Sequence, residues 1–67
     1  MYGLLRDCKS TIAVDGMPRC DVYTALAALD RARSEQAVHP DAKVTIYQWD
    51  NTMYVYNSHT DAVDLEY

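Results

Sequence analysis

The chain has 67 residues and a formal net charge of −4 at pH 7. A chain of this length forms one domain, residues 1–67, whose thin core leaves little room for the deep, dehydrated cavity that houses a cofactor. The acidic balance argues against electrostatic attraction to nucleic acid or anionic lipid, because neutralising phosphate needs clustered Lys and Arg. We therefore expect a protein with no enzymatic activity, no cofactor, and no direct contact with nucleic acid or membrane.

The N-terminus and the two cysteines predict a cytoplasmic protein. Residues 1–7 lack the basic start and apolar stretch of a signal peptide, and the chain has no run of about 18 apolar residues. Cys8 and Cys20 are too few for a secreted disulfide framework, and the sequence leaves open whether they pair. Neither they nor His39 and His59 form the tight local pairs of a zinc site, so no metal is expected.

The first predicted elements are a strand and a helix. Ser10–Val14 alternates as a short strand, and the Asp-Gly and Met-Pro pairs at 15–18 predict a turn after it. Asp21 is the expected helix N-cap. Residues at helical spacing then form one apolar stripe: Val22, Ala25, Leu26, Leu29 and Ala32. We expect the helix to end at positions 36–38, because Pro40 disfavours a helical residue before it.

A hairpin is predicted after the helix. Two alternating segments, 44–49 and 52–57, flank Asp50 and Asn51, whose tolerance for positive φ suits a two-residue turn. In that register Tyr47 lies opposite Tyr54, and the side chains of the hairpin divide between two faces of the sheet. The aliphatic face is Val44, Ile46, Met53 and Val55, and the aromatic face is Tyr47, Trp49, Tyr54 and Tyr56.

The last segment predicts another strand. Residues 61–67 place Val63, Leu65 and Tyr67 on one side and Asp64 and Glu66 on the other, as expected of a charged edge strand. The predicted architecture is an α+β fold in the order β-α-β-β-β. It is an antiparallel-dominated sheet of three to four strands with one amphipathic helix packed on one face.

Charge and aromatic residues are segregated toward the C-terminus. Every Lys and Arg lies at or before Lys43, so residues 44–67 hold four carboxylates without a basic side chain. Rings beside carboxylates are typical of a contact surface, and an acidic face favours a basic partner, such as a protein surface that holds DNA or RNA. The predicted partner-binding residues are Asp50, Asp61, Asp64, Glu66, Tyr47, Trp49, Tyr54 and Tyr56. An alternative stays open, in which the rings form the core beneath the helix.

Catalytic chemistry finds no support in the residue pattern. Cys, His and Asp are all present, but no local signature of a nucleophile surrounds either cysteine. Carboxylates on a solvent-facing edge lack the burial that tunes a catalytic acid, and two glycines are too few for a phosphate-binding loop. A non-enzymatic role is the expectation.

The layout of the chain resembles that of the small phage-encoded anti-CRISPR proteins. The likeness rests on the segment Thr11–Gly16, the helix Val22–Ala32 and the hairpin Val44–Tyr56, and it covers most of the chain. It implies an inhibitor in the cytoplasm of a bacterial host. Such an inhibitor would occupy the basic DNA channel of a CRISPR effector, imitate DNA phosphates and block target-DNA binding. Two alternatives remain: an assembly protein that dimerises through its aromatic face, and a phage inhibitor of another host nucleic-acid enzyme.

Overall fold

The structure, a computed structural model, describes residues 5–48 and 52–66. Its elements are β1 (Ser10–Val14), β2 (Met17–Val22), α1 (Ala25–Val38), β3 (Val44–Gln48), β4 (Met53–Asn57) and β5 (Ala62–Glu66). The strands form one sheet in the order β2-β1-β3-β4-β5, and every neighbouring pair is antiparallel. The predicted α+β fold with one helix on an antiparallel sheet is confirmed, with five strands instead of three to four.

The additional strand, β2, forms a hairpin with β1. Val14 pairs with Met17, so Asp15 and Gly16 alone make the turn, with φ angles of 50° and 81°. Positive φ at both positions is the geometry that an Asp-Gly pair favours between two strands. Pro18 is tolerated because β2 lies at the edge of the sheet, where a missing backbone N–H costs no ladder hydrogen bond.

The helix therefore begins later than the sequence predicts. Thr24 is the N-cap, and its Oγ1 accepts a hydrogen bond from the Ala27 backbone N at 3.1 Å. Asp21 lies in β2, where its Oδ1 accepts from the Thr11 hydroxyl at 2.7 Å, so the prediction that it caps the helix is wrong. The predicted end is confirmed, because α1 stops at Val38.

The β3–β4 hairpin forms as predicted, but its register is shifted by one residue. Ile46 pairs with Tyr54, and the Gln48 backbone N donates to the Thr52 carbonyl at 2.9 Å. This bond leaves three positions, 49–51, between the strands instead of two, and these positions lie outside the described residues. A shift of one residue reverses which face of β4 each side chain occupies, so the predicted separation of aromatic and aliphatic faces is wrong.

The core lies between α1 and one face of the sheet. The helix packs on β1, β3 and β4, and its fully buried Ala28 and Ala32 let it approach closely. Tyr54 and Tyr56 belong to this core, in line with the alternative that their rings supply core volume. Leu26, assigned to the buried stripe by its spacing, is 61% exposed. The core residues are Leu5, Ile12, Val14, Ala25, Ala28, Leu29, Ala32, Val44, Ile46, Tyr54, Tyr56 and Val63.

The two cysteines are free thiols. Cys8 and Cys20 are each partly buried, and Cys20 packs against the core from β2. Within the described residues, α1 is the one helix, and neither its length nor its composition would let it cross a membrane.

Candidate functional site

The helix covers one face of the sheet and leaves the other without a packed element in the described part of the chain. The pairing registers align Asp21, Thr11, Tyr47 and Met53 in one row across four strands. A second row aligns Ala13, Thr45, Val55 and Asp64. We call this surface the open face and define it by these eight residues.

The centre of the open face is largely apolar. Tyr47 is 40% exposed, and its neighbours Met53 and Val55 are partly buried. Beneath them Ala13 and Thr45 are buried, and the Thr45 hydroxyl has no hydrogen-bond partner among the described residues. A ring flanked by aliphatic side chains on a sheet surface is the kind of anchor that protein interfaces use.

Carboxylates lie at both edges of the open face. Asp21 is on the edge strand β2, and Asp64 is on the opposite edge strand β5, where it is exposed. The Asp21 carboxylate also has the Lys9 ammonium at 4.0 Å, a separation typical of a weak surface pair. The open face therefore combines an apolar centre with one carboxylate at each edge, of which Asp64 lies on β5 and Asp21 has Lys9 beside it.

Asp61 lies elsewhere, in the turn before β5, where it holds the helix. Its two carboxylate oxygens accept from Arg33, Oδ1 from Nε at 3.0 Å and Oδ2 from Nη2 at 2.9 Å. The Tyr56 hydroxyl donates to the same Oδ1 at 2.6 Å. The Arg33 guanidinium, together with the Tyr56 hydroxyl, lowers the pKa of Asp61 below its ordinary value. Burial, followed by the bond to Asp61, raises the pKa of Tyr56.

A shallow pocket lies beside this cluster. Its volume is about 320 Å³, and its walls come from Arg33, Gln36, Ala37, Pro40, Tyr56 and Ser58. The charged and aromatic groups on its wall already bond to Asp61, and the Gln36 amide nitrogen donates to the His39 and Ala42 carbonyls at 2.9 Å each. No three His, Cys, Asp or Glu side chains within 5–48 and 52–66 are grouped to hold a metal ion.

The structure separates the residues that the sequence predicted to act together. Tyr47 and Asp64 share the open face, whereas Tyr54 and Tyr56 are buried at 6% exposure each. Trp49 and Asp50 lie outside the described residues, as does the side chain of Glu66. The residues of the open face that sequence reasoning missed are Thr11, Ala13, Asp21, Thr45, Met53 and Val55. The Asp15-Gly16 pair, interpreted as a hairpin turn, was the signal that would have placed Asp21 on a strand.

Comparisons with protein-family models, with curated proteins and with solved structures found no match for this chain. Function must therefore be inferred from the residues themselves. The feature with the clearest physical reason to bind a partner is the open face, because it offers exposed aromatic area and charge on the same surface.

Proposed function

We propose that this chain is a non-enzymatic inhibitor that binds the basic nucleic-acid-binding surface of a CRISPR effector and blocks target-DNA binding. The observation that carries the proposal is the open face, with Tyr47 at its centre and carboxylates at both edges. The CRISPR assignment comes from the resemblance in layout, whereas the choice of a basic protein partner comes from the charge of the face.

The two parts of the open face support binding in different ways. The ring of Tyr47, with Met53 and Val55 beside it, supplies area that loses water on contact and thereby stabilises the complex. Asp21 and Asp64 attract a basic partner at a distance and speed its association, an effect that salt screens. A channel lined by Lys and Arg to hold DNA complements both parts.

The dimensions of the face set a further requirement. Five-residue strands are about 17 Å long, and five of them span about 19 Å, giving a flat area of about 300 Å². A stable interface buries about 800 Å² on each partner. The contact must therefore extend beyond the strands, and the sequence offers Trp49 and Asp50 directly after β3, both predicted from the sequence to bind the partner.

A capture experiment tests the partner. The tagged protein is exposed to lysates of bacteria that carry CRISPR systems, at low and moderate salt, and bound proteins are identified by mass. We expect an effector subunit that dissociates at moderate salt. Replacing both border carboxylates, Asp21→Asn with Asp64→Asn, reduces capture at low salt, whereas Asp30→Asn with Asp41→Asn makes the same charge change away from the open face and preserves it.

The same experiment separates the alternatives. Recovery of a host nuclease or polymerase in place of an effector would favour an inhibitor of another nucleic-acid enzyme. Recovery of the protein alone, together with a tight dimer in sedimentation at micromolar concentration, would favour the assembly protein. The border charges argue against that dimer, because two copies joined by their open faces would bring like charges together.

A further inference from the structure

A second charged cluster lies on the flank of α1 that faces β2. At its centre is Glu35, a helix residue that is only 7% exposed. Its Oε1 accepts from Arg19 Nε at 3.2 Å, and Arg31 Nη2 is 3.2 Å from its Oε2. His39 Nε2 lies 4.0 Å from the same Oε1. We call these four residues the arginine site.

A β-bulge directs Arg19 into this site. Cys20 pairs with Ile12 and Pro18 pairs with Ala13, so Arg19 has no partner on β1. Regular alternation from Asp21 would place Arg19 on the open face. The extra residue instead turns its side chain to the helix side, where it contacts Glu35. Bulges re-aim side chains in this way and are frequent next to functional sites.

The arginine site carries more positive charge than is needed to neutralise Glu35. One buried carboxylate is balanced by one cation, but two guanidinium groups contact Glu35, so the site is net positive in a chain of charge −4. The Arg19 and Arg31 side chains are 48% and 47% exposed. Each uses one nitrogen for Glu35 and, among the described residues, keeps its other donors available to a ligand.

A buried polar atom in the same cluster lacks a partner. His39 Nε2 is shielded from solvent and makes no hydrogen bond with any described residue. Buried polar atoms in folded proteins are nearly always satisfied, so this nitrogen shows that the hydrogen bonding of the cluster is incomplete. This nitrogen and Arg19 both approach Glu35 Oε1, which places the unsatisfied atom beside the guanidinium group.

We propose that Arg19 and Arg31 form a binding site for a phosphate group, with Glu35 orienting both guanidinium planes. Arginine donors match the oxygens of phosphate in forked pairs, and two guanidinium groups held on one carboxylate supply more donors than a flat carboxylate ligand can accept. The site is separate from the open face and does not depend on the proposed function.

Titration with inorganic phosphate at constant ionic strength tests the site, with backbone amide NMR shifts as the readout. We expect saturable shifts at positions 19, 31 and 39, with a dissociation constant in the millimolar range. Arg19→Gln and Arg31→Gln each weaken binding about tenfold, because each removes a charge-assisted hydrogen bond. Arg6→Gln, which removes one exposed positive charge elsewhere, leaves the affinity unchanged.

A conservative variant keeps the test independent of folding. Arg31→Lys preserves the charge and the spacing to Glu35 but lacks the forked donors, so we expect it to bind phosphate several-fold more weakly while its spectrum stays native. Equal saturable shifts with acetate, or equal weakening by Arg6→Gln, would reduce the effect to general anion attraction and overturn the proposal. Shifts that never saturate would do the same.

Discussion

The register of the β3–β4 hairpin makes a sharp prediction about two tyrosines. Tyr54 is 6% exposed and lies in the core, whereas Tyr47 is 40% exposed on the open face. A tyrosine buries about 150–250 Å² when enclosed, worth about 4–6 kcal/mol at 25 cal/mol per Å². We expect Tyr54→Ala to lower the free energy of unfolding by about 3–5 kcal/mol. Tyr47→Ala should lower it by about 1 kcal/mol or less, because only cross-strand contacts are lost.

The size of the domain makes this difference easy to measure. A domain of this length has a total stability of about 3–10 kcal/mol, so the loss expected from Tyr54→Ala is a large fraction of the total and the loss from Tyr47→Ala is a small one. Urea unfolding followed by circular dichroism gives both values under one set of conditions. Equal costs for the two variants, or a larger cost for Tyr47→Ala, would refute the observed register and restore the two-residue turn.

Three further predictions concern the cluster at Asp61, the first turn and the helix cap. The pKa of Asp61 is lower in the folded state than its ordinary value of 3.8. The ionised carboxylate therefore stabilises the fold fully above pH 3.8, and this stabilisation is lost as the pH falls through the lowered pKa. Asp61→Asn should therefore lower the urea midpoint at neutral pH, and the gap from wild type should narrow steadily as the pH falls below 3.8; a gap that stays constant there would contradict this account. Gly16 has φ +81° and nothing within 4 Å of an added Cβ, so Gly16→Ala should cost about 1–2 kcal/mol from backbone strain alone. A synthetic chain with D-alanine at that position should lose no stability by the same urea assay, and an equal loss would show that space, not φ, sets the cost. Thr24→Ala should lower the free energy of unfolding by about 1 kcal/mol, measured by thermal or urea unfolding, whereas Thr24→Ser should change it little. A larger loss from the Ser variant than from the Ala variant would exclude Thr24 as the helix cap.

Local patterns in the sequence were sufficient to predict most of the architecture. The helical spacing of Ala25, Leu29 and Ala32 and the block imposed by Pro40 placed the helix and its end correctly. Alternation predicted β1, β3, β4 and β5, because successive side chains of each strand point alternately toward the helix and toward the open face. The strand that was missed, β2, contains Pro18, which argues against a strand unless its edge position is known.

The hairpin register could not be derived from the sequence in the same way. Both candidate registers pair alternating segments, and Asp50-Asn51 suits a two-residue turn. The observed pairing brings Tyr54 and Tyr56 into the core beside Ile46 and leaves Tyr47 outside. Because the chain has no Phe, its core needs the tyrosine rings for volume. The packing of these rings beneath the helix, which depends on residues distant in the sequence, favours the observed register.

The candidate site was only partly predictable for the same reason. Tyr47 and Asp64 are exposed, as alternation alone predicts, and their part in partner binding stays a prediction. Asp61 was grouped with Asp64 by sequence proximity, but Arg33, which is 28 positions away, binds it on the other side of the sheet. Pairings of this kind depend on how the helix packs over the strands, which no local pattern encodes.

The most direct test of the proposed function is target-DNA binding by purified CRISPR effector complexes in the presence of this protein. We expect the wild type to abolish DNA binding by a susceptible effector, and Tyr47→Ser to inhibit at least tenfold less well. Tyr23, which is 66% exposed outside the open face, offers a matched control, and Tyr23→Ser should inhibit like the wild type. Equal inhibition by Tyr47→Ser and wild type would contradict binding through the open face, and unimpaired DNA binding across a panel of effectors would contradict the CRISPR assignment.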